Sequence, residues 1–127
     1  MLVATLAYAH APSVALVALA AFLGHLYPVF FEFRGGKGVA TALGALLGVN
    51  ASVGALALLL WLAVSLVFRR ASVAALATFT LVPALLLVEG QRVHAALFVV
   101  IAAFLFYTHR ANVRRLVAGT EPVIGKR

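Results

Sequence analysis

Two basic residues lie within a short run of glycines in the first third of the chain. Arg34 and Lys37 stand there among Gly35, Gly36 and Gly38. Glycine has no Cβ, so backbone N–H groups at these positions can approach a ligand closely, and the two side chains add positive charge. We interpret the run as a phosphate-binding loop. The alternative is a glycine turn whose cations anchor the protein at a membrane face.

This loop differs from the commonest nucleotide-binding motif. Phe31 stands where a Walker A loop has its first glycine, and Gly38 stands where that loop has serine or threonine. No β-strand pattern precedes the loop, so nucleotide hydrolysis is disfavoured. An apolar run begins near Gly38 instead. A helix starting there would offer free N–H groups and a positive dipole end to a phosphate or a developing oxyanion.

Three further polar residues are candidates for catalysis. His25 follows an apolar run and is either an interfacial hydrogen-bonding residue or the acceptor of a hydroxyl proton, since imidazole titrates near neutrality. His109 and Asn112 follow the last long apolar run. A continuous helix would place these two on one face and Arg110 with Arg114 on another. The alternative for this stretch is a basic collar that fixes the helix end in the membrane.

Ser72 follows two arginines, and no residue pattern indicates a metal or haem. Ser72 is either the N-cap of the next helix or, if the other loops lie nearby, a contact to substrate. The chain has no cysteine, its four histidines lack His-x-x-x-His spacing, and its glutamates are scattered. We therefore predict a site without a metal or cofactor.

The composition is that of a membrane protein. The 127 residues are 65% hydrophobic, against roughly 45–50% in soluble domains. Ten Lys and Arg residues contribute to a net charge of +7. Because these residues lie at the ends of apolar runs, their predicted partner is the anionic face of a lipid bilayer and not nucleic acid.

A topology follows from the apolar runs and the charges between them. The runs cover residues 2–9, 13–24, 39–49, 53–68, 73–88 and 93–107. A turn at Asn50 separates the third from the fourth and puts nine of the ten basic residues on one side, which must be cytoplasmic. The prediction is an all-α membrane helix bundle in one domain, residues 1–127, with about five complete spans, an N-terminal partial span and a cytoplasmic C-terminus.

That topology gathers the polar loops on one face of the membrane. Loops 25–38, 69–72 and 108–121 would all be cytoplasmic. Polar groups at membrane depth are costly unless they face one another or water, so we expect these loops to share a pocket.

Two ordered motifs resemble a known bacterial family. Gly24-His25-x-x-Pro28 with Phe33-Arg34-Gly35-Gly36-Lys37-Gly38-Val39-Ala40-Thr41, and the later His109-Arg110-x-Asn112-x-x-Arg115-Leu116-x-x-Gly119-x-Glu121, are similar to motifs of the acyl-phosphate:glycerol-3-phosphate acyltransferases, the PlsY family. The resemblance implies an enzyme of the bacterial inner membrane. It would move a fatty acyl group from acyl-phosphate to the sn-1 hydroxyl of glycerol-3-phosphate, give lysophosphatidic acid, and need no nucleotide or coenzyme A.

The resemblance also implies roles for residues. Lys37, with the amides around Gly35, Gly36 and Gly38, would bind phosphate. Ser72, His109 and Asn112 match positions that line the family's polar site. His25 matches the motif histidine, and the proton acceptor is either His25 or a phosphate of a bound substrate.

The family's first two spans or so and its first loop motif have no counterpart here, so we expect an N-terminally shortened chain. The competing interpretations are a non-enzymatic membrane protein that binds or transports anions, and an inactive shortened acyltransferase.

Overall fold

The computed structural model describes residues 11–28 and 36–125, and the regular structure within them is entirely helical. The helices are α1 (Ala11–Leu26), α2 (Val39–Val49), α3 (Ala51–Phe68), α4 (Ala71–Val88), α5 (Arg92–Thr108) and α6 (Arg110–Val117). Helices adjacent in sequence pack against each other, and α1 also packs against α5. The predicted all-α bundle is confirmed.

The predicted break at Asn50 is confirmed. Asn50 ends α2 and caps α3, because its side-chain Oδ1 accepts a hydrogen bond of 2.9 Å from the Val53 backbone N–H. Gly54 then lies against α2 so closely that a Cβ there would be 2.7 Å from the Leu47 Cα. The capping side chain and the close helix contact together turn the chain back on itself.

Large apolar side chains fill the centre of the bundle. Phe22 of α1, Phe79 of α4 and Phe98 of α5 are all fully buried. Phe79 and Phe98 stack with ring centroids 6.4 Å apart, and Phe22 meets Phe104 edge to face. Such aromatic pairs contribute about 0.5–1.5 kcal/mol beyond their buried area. The core therefore ties the early helix α1 to the two later helices.

The outer surfaces of the helices are apolar as well. Leu66 is 78% exposed and Val88 is 86% exposed, as expected of side chains that face lipid. By length and composition α3 and α4 can each cross a membrane, and α5 with α6 is a third candidate if that bent pair is one span. The helices α1 and α2 are apolar but shorter, at 16 and 11 residues.

The expectation of a continuous helix through residue 109 was wrong. The helix α5 ends at Thr108, and α6 leaves at 62° to it. His109 lies at the bend, and its backbone N–H still bonds to the Leu105 carbonyl. The bend turns the polar helix α6 across the end of the bundle.

After α6 the chain returns to the turn between α3 and α4. The backbone N–H of Ile124 donates to the Arg69 carbonyl at 2.6 Å, and the Arg69 guanidinium donates to the Ile124 carbonyl at 3.1 Å. Arg69 has a positive φ of 52°, the left-handed conformation common after a helix end. This contact places residues 120–125 beside the site described next.

Candidate active site

A cavity of about 590 Å³ lies at one end of the bundle. The predicted site residues that line it are His25, Gly36, Lys37, Gly38, Ser72, His109 and Asn112. They come from the end of α1, the start of α2, the start of α4 and the α5–α6 bend. The expected shared pocket is thus present in the structure. Arg34 and Gly35 lie outside the described residues.

The glycine loop ends where α2 begins. Gly38 has φ 89°, and a Cβ there would be 2.6 Å from the Phe22 ring, so both backbone and space require glycine. Its carbonyl accepts the first helical bond, from the Ala42 N–H. The N–H groups in the first turn of a helix have no intrahelical partner. Because Val39 and Ala40 line the cavity, this start of α2 is positioned to receive an anion.

Lys37 is held at both ends. Its ammonium Nζ donates to the side-chain Oδ1 of Asn112 at 2.6 Å. Its backbone carbonyl accepts a 3.0 Å bond from the Thr108 hydroxyl, which also donates to the Leu105 carbonyl. A lysine ammonium carries three donors, so further donors remain for a ligand. The cation is therefore fixed in direction before any ligand binds.

Glu121 connects the walls of the cavity. Its Oε1 accepts bonds from the Asn112 amide at 2.6 Å and from the Ser72 hydroxyl at 2.7 Å, and its Oε2 pairs with Arg115 at 2.8 Å. Burial alone would raise the pKa of this carboxyl, but the bonds from Asn112, Ser72 and Arg115 outweigh burial and lower the pKa to about 2. Glu121 is a stable anion at neutral pH.

The N-cap alternative for Ser72 was wrong. The helix α4 begins at Ala71, with Arg70 at the cap position and no side-chain cap bond there. Ser72 is buried within the first turn and donates to Glu121 instead. Its hydroxyl therefore faces the polar network on the cavity wall.

The two predicted histidines differ in their surroundings. His109 is buried, and its Nδ1 lies 2.7 Å from the Leu105 carbonyl. A carbonyl only accepts, so Nδ1 carries a proton, and burial lowers the pKa of the His109 ring, which leaves Nε2 as an acceptor at neutral pH. His25 is exposed at the end of α1, and a Cβ on Gly36 would lie 3.4 Å from its Nε2. Both rings line the cavity.

Sequence reasoning assigned no catalytic or binding role to four residues of this region: Trp61, Thr108, Arg115 and Glu121. Arg115 and Glu121 belong to the quoted second motif, so that motif could have marked them. Trp61 carries no such signal, because it stands in the middle of the apolar run of α3.

Comparison with known proteins places the chain in a family. The family described as glycerol-3-phosphate acyltransferase matches residues 1–119. A relative of that name from Thioalkalivibrio sulfidiphilus is 53% identical over 115 residues, and one from Thiobacillus denitrificans is 51% identical over 115 residues. The chain belongs to the glycerol-3-phosphate acyltransferase family.

The aligned region covers 90% of this chain but 57% and 58% of those two relatives. Two solved structures of PlsY, described as an integral membrane glycerol 3-phosphate acyltransferase, have the same fold. The glycerol 3-phosphate form has a TM-score of 0.91 and 38% identity, covering 98% of this chain and 63% of that one. The lysophosphatidic acid form has a TM-score of 0.87 and 37% identity, with 98% and 64% coverage. This family member is accordingly a helical membrane protein.

Proposed function

We propose that this chain transfers a fatty acyl group from acyl-phosphate to the sn-1 hydroxyl of glycerol-3-phosphate, giving lysophosphatidic acid for phospholipid synthesis. The observation that carries the proposal is the fixed cation at the start of α2, where Lys37 is held by Asn112 beside free helix N–H groups. Family membership and the similarity to PlsY in its glycerol 3-phosphate form support it.

The phosphate-binding role falls to the α2 start. The Lys37 ammonium and the amides near Gly36 and Gly38 supply positive charge and donors, as would Arg34 and Gly35 just before them. A phosphate dianion suits this cluster because helix N-termini and lysine both favour anions. Two anionic substrates repel each other in water, so a cationic pocket also lets them meet.

The reaction needs one proton acceptor and one leaving group. The sn-1 oxygen forms a bond to the acyl carbon, the bond from that carbon to phosphate oxygen breaks, and inorganic phosphate leaves with the electron pair. The hydroxyl proton goes to a histidine or directly to a substrate phosphate. His109 Nε2 and His25 both line the cavity as possible acceptors, and Asn112 orients Lys37. The Ser72 side chain contributes to the polar side of the cavity where the phosphate would bind.

The site is proposed to face the cytoplasm of a bacterial cell, at the inner membrane. Lys37, Arg69 and Arg115 lie at the cavity end of the bundle, whereas Arg92 lies at the other end. This separation agrees with the positive-inside rule. It supports five crossings by α1 to α5 plus a partial span before them, with acyl chains entering from the bilayer and glycerol-3-phosphate from water.

Replacing the fixed cation tests the proposal. Lys37→Ala should reduce lysophosphatidic acid formation by about 10²–10³-fold, the loss typical when one charge-stabilising donor is removed. The measurement is product formation from acyl-phosphate and labelled glycerol-3-phosphate in membranes containing the chain. Arg92→Ala, at the opposite end, is the matched loss of a cation and should retain wild-type activity.

Two results would contradict the proposal. If Lys37→Ala turned over at the wild-type rate, Lys37 would not be the residue that holds the phosphate. Phosphate movement across vesicle membranes with no lipid product would support the anion transporter instead.

A further inference from the structure

Two polar atoms of α3 side chains are shielded from water without a hydrogen-bond partner in the part of the chain that the structure describes. The indole Nε1 of Trp61 and the hydroxyl of Ser65 are both shielded from water and unbonded among the described residues. Ser65 is only 8% exposed. A buried donor left unpaired costs about 1–3 kcal/mol. Such a cost on two neighbouring side chains indicates a ligand that satisfies them.

These two donors lie where a polar cavity meets an apolar one. Trp61 lines the cavity that holds Lys37 and His109. Ser65 lines a second cavity of about 490 Å³, with Leu62, Leu66, Arg69 and Ile124. Ile124 lines both cavities, so its side chain marks their junction.

Two other apolar cavities among the described residues lack this connection. One of about 380 Å³ lies between α1 and α5 near Pro12 and Val93, at the opposite end of the bundle. Another of about 500 Å³ runs beside α4 near Ala77 and Leu116. Neither shares a lining residue with the polar cavity. The α3 groove is the one of the three that continues the site toward lipid.

We propose that Trp61 and Ser65 donate hydrogen bonds to the carbonyl oxygen of the bound acyl group, whose chain then lies along the Leu62–Leu66 groove. This subsite rests on the proposed acyltransferase function. Residues four apart on a helix have Cβ atoms about 5–6 Å apart, so both donors can converge on one oxygen between them. A carbonyl oxygen has two lone pairs and accepts both.

The surroundings fit an acyl group in particular. From Leu62 to Arg69 the helix rises about 10 Å, long enough for the first part of a fatty chain. The groove walls are mostly aliphatic, and Arg69 lines the groove at the C-terminal end of α3. Ile124, which lines both cavities and is 47% exposed on the segment after α6, lies beside the passage from the polar cavity to the groove. Hydrogen bonds in a dry site are stronger than in water.

Binding can be measured apart from catalysis because Trp61 is the one tryptophan in the chain. The probe is a hexadecanoyl phosphonate that keeps the acyl carbonyl but has CH₂ in place of the bridging oxygen. Saturable change of Trp61 emission is expected with this compound. Heptadecyl phosphonate has the same number of carbons but CH₂ in place of the carbonyl, and it should bind about 5–10-fold more weakly, since a hydrogen bond contributes about 1 kcal/mol. Equal affinity for the two compounds would overturn the donor role.

Substitutions at Ser65 test the donor and the groove separately. Ser65→Ala should weaken binding of the hexadecanoyl compound about five-fold and leave binding of heptadecyl phosphonate unchanged. Ser65→Leu should fill the groove and exclude the 16-carbon compound; unchanged affinity there would overturn the groove assignment. Ala77→Leu fills the unconnected groove beside α4 and should bind both compounds as the wild type does. If Ser65→Leu does not fold, the Ser65→Ala result decides.

This test separates the inference from the function it rests on. Carbonyl-dependent binding without lipid product would contradict the enzyme proposal and leave the subsite supported. Lipid product with no carbonyl-dependent binding would contradict the subsite alone.

Discussion

The two ends of the bundle each contain a hydrogen-bonded asparagine and glutamate. At the cavity end, Asn112 donates to Glu121, which is 7% exposed and also accepts from Ser72 and Arg115. At the other end, Asn50 donates to Glu89, which is exposed to the surroundings. The same pair of residue types therefore occurs once inside a network and once at a surface turn.

The difference lies in what each carboxylate holds in place. A buried carboxylate is tolerated only when its lone pairs are satisfied, and Glu121 meets this condition with donors from α4 and α6. Through Asn112 the network also fixes Lys37. Glu89 accepts from the side chain of Asn50, which in addition caps α3. The buried pair thus determines site geometry, whereas the exposed pair joins two turns.

The largest effect is expected from Glu121→Gln. The amide keeps one acceptor for Ser72 and Asn112 but points an NH₂ group at Arg115, so two donors face each other. We expect the free energy of unfolding to fall by about 2–3 kcal/mol and acyl transfer to fall with it. Thermal unfolding in detergent and product formation measure the two effects. Stability equal to the wild type would show that the network does not support the fold.

Acid pH should reproduce part of that loss in the unaltered chain. The pKa of Glu121 is about 2 in the folded state, below its ordinary 4.5. Its stabilising contribution is complete above pH 4.5 and is lost as the pH falls from there through about 2. The difference in unfolding temperature between wild type and Glu121→Gln should be constant from about pH 8 to 7 and shrink below about pH 4. Other carboxyls are common to both chains and cancel, whereas His109 interacts with the Glu121 charge and titrates between these two ranges. A difference that changes between about pH 7 and 8 would contradict this assignment.

A smaller effect is expected from Ser72→Ala. The change removes one of the two donors to Oε1 and leaves the Asn112 bond in place. A single hydrogen bond to a charged acceptor contributes about 1.5 kcal/mol, so unfolding should become easier by that amount. In a double substitution with Glu121→Gln, the effects should be less than additive, because both act on one network. If the two changes in unfolding free energy were strictly additive, Ser72 would not belong to the Glu121 network.

Much of the fold was predictable because it follows from local patterns. Apolar runs, the turn at Asn50 and the distribution of Lys and Arg predicted the helices and the shared end of the loops. Gly38 was predicted at the start of a helix, and its positive φ explains why glycine stands there. Such features depend on neighbouring residues, which the sequence displays directly.

The bend and the network depend on distant contacts. His109 lies at a 62° change of helix direction that no proline or glycine marks. Glu121 meets Ser72 across 49 residues, and Lys37 meets Asn112 across 75. No local spacing encodes such pairs. The sequence therefore left the N-cap interpretation of Ser72 open and indicated no binding or catalytic role for Glu121. The unpartnered donor of Trp61 was hidden for the same reason, within an otherwise apolar helix.

The smallest effect is expected from Glu89→Gln, at the opposite end. The amide oxygen of the substituted side chain would still accept the bond from Asn50, and the exposed site requires no charge to be compensated. Surface substitutions of this kind change stability by about 0.5 kcal/mol or less. Unfolding temperature and acyl transfer should match the wild type within error, and the pH dependence described for Glu121 should be retained. A loss as large as that of Glu121→Gln would mean that pairing with asparagine, and not burial, distinguishes a carboxylate that supports the site, because the two glutamates share that pairing and differ in exposure.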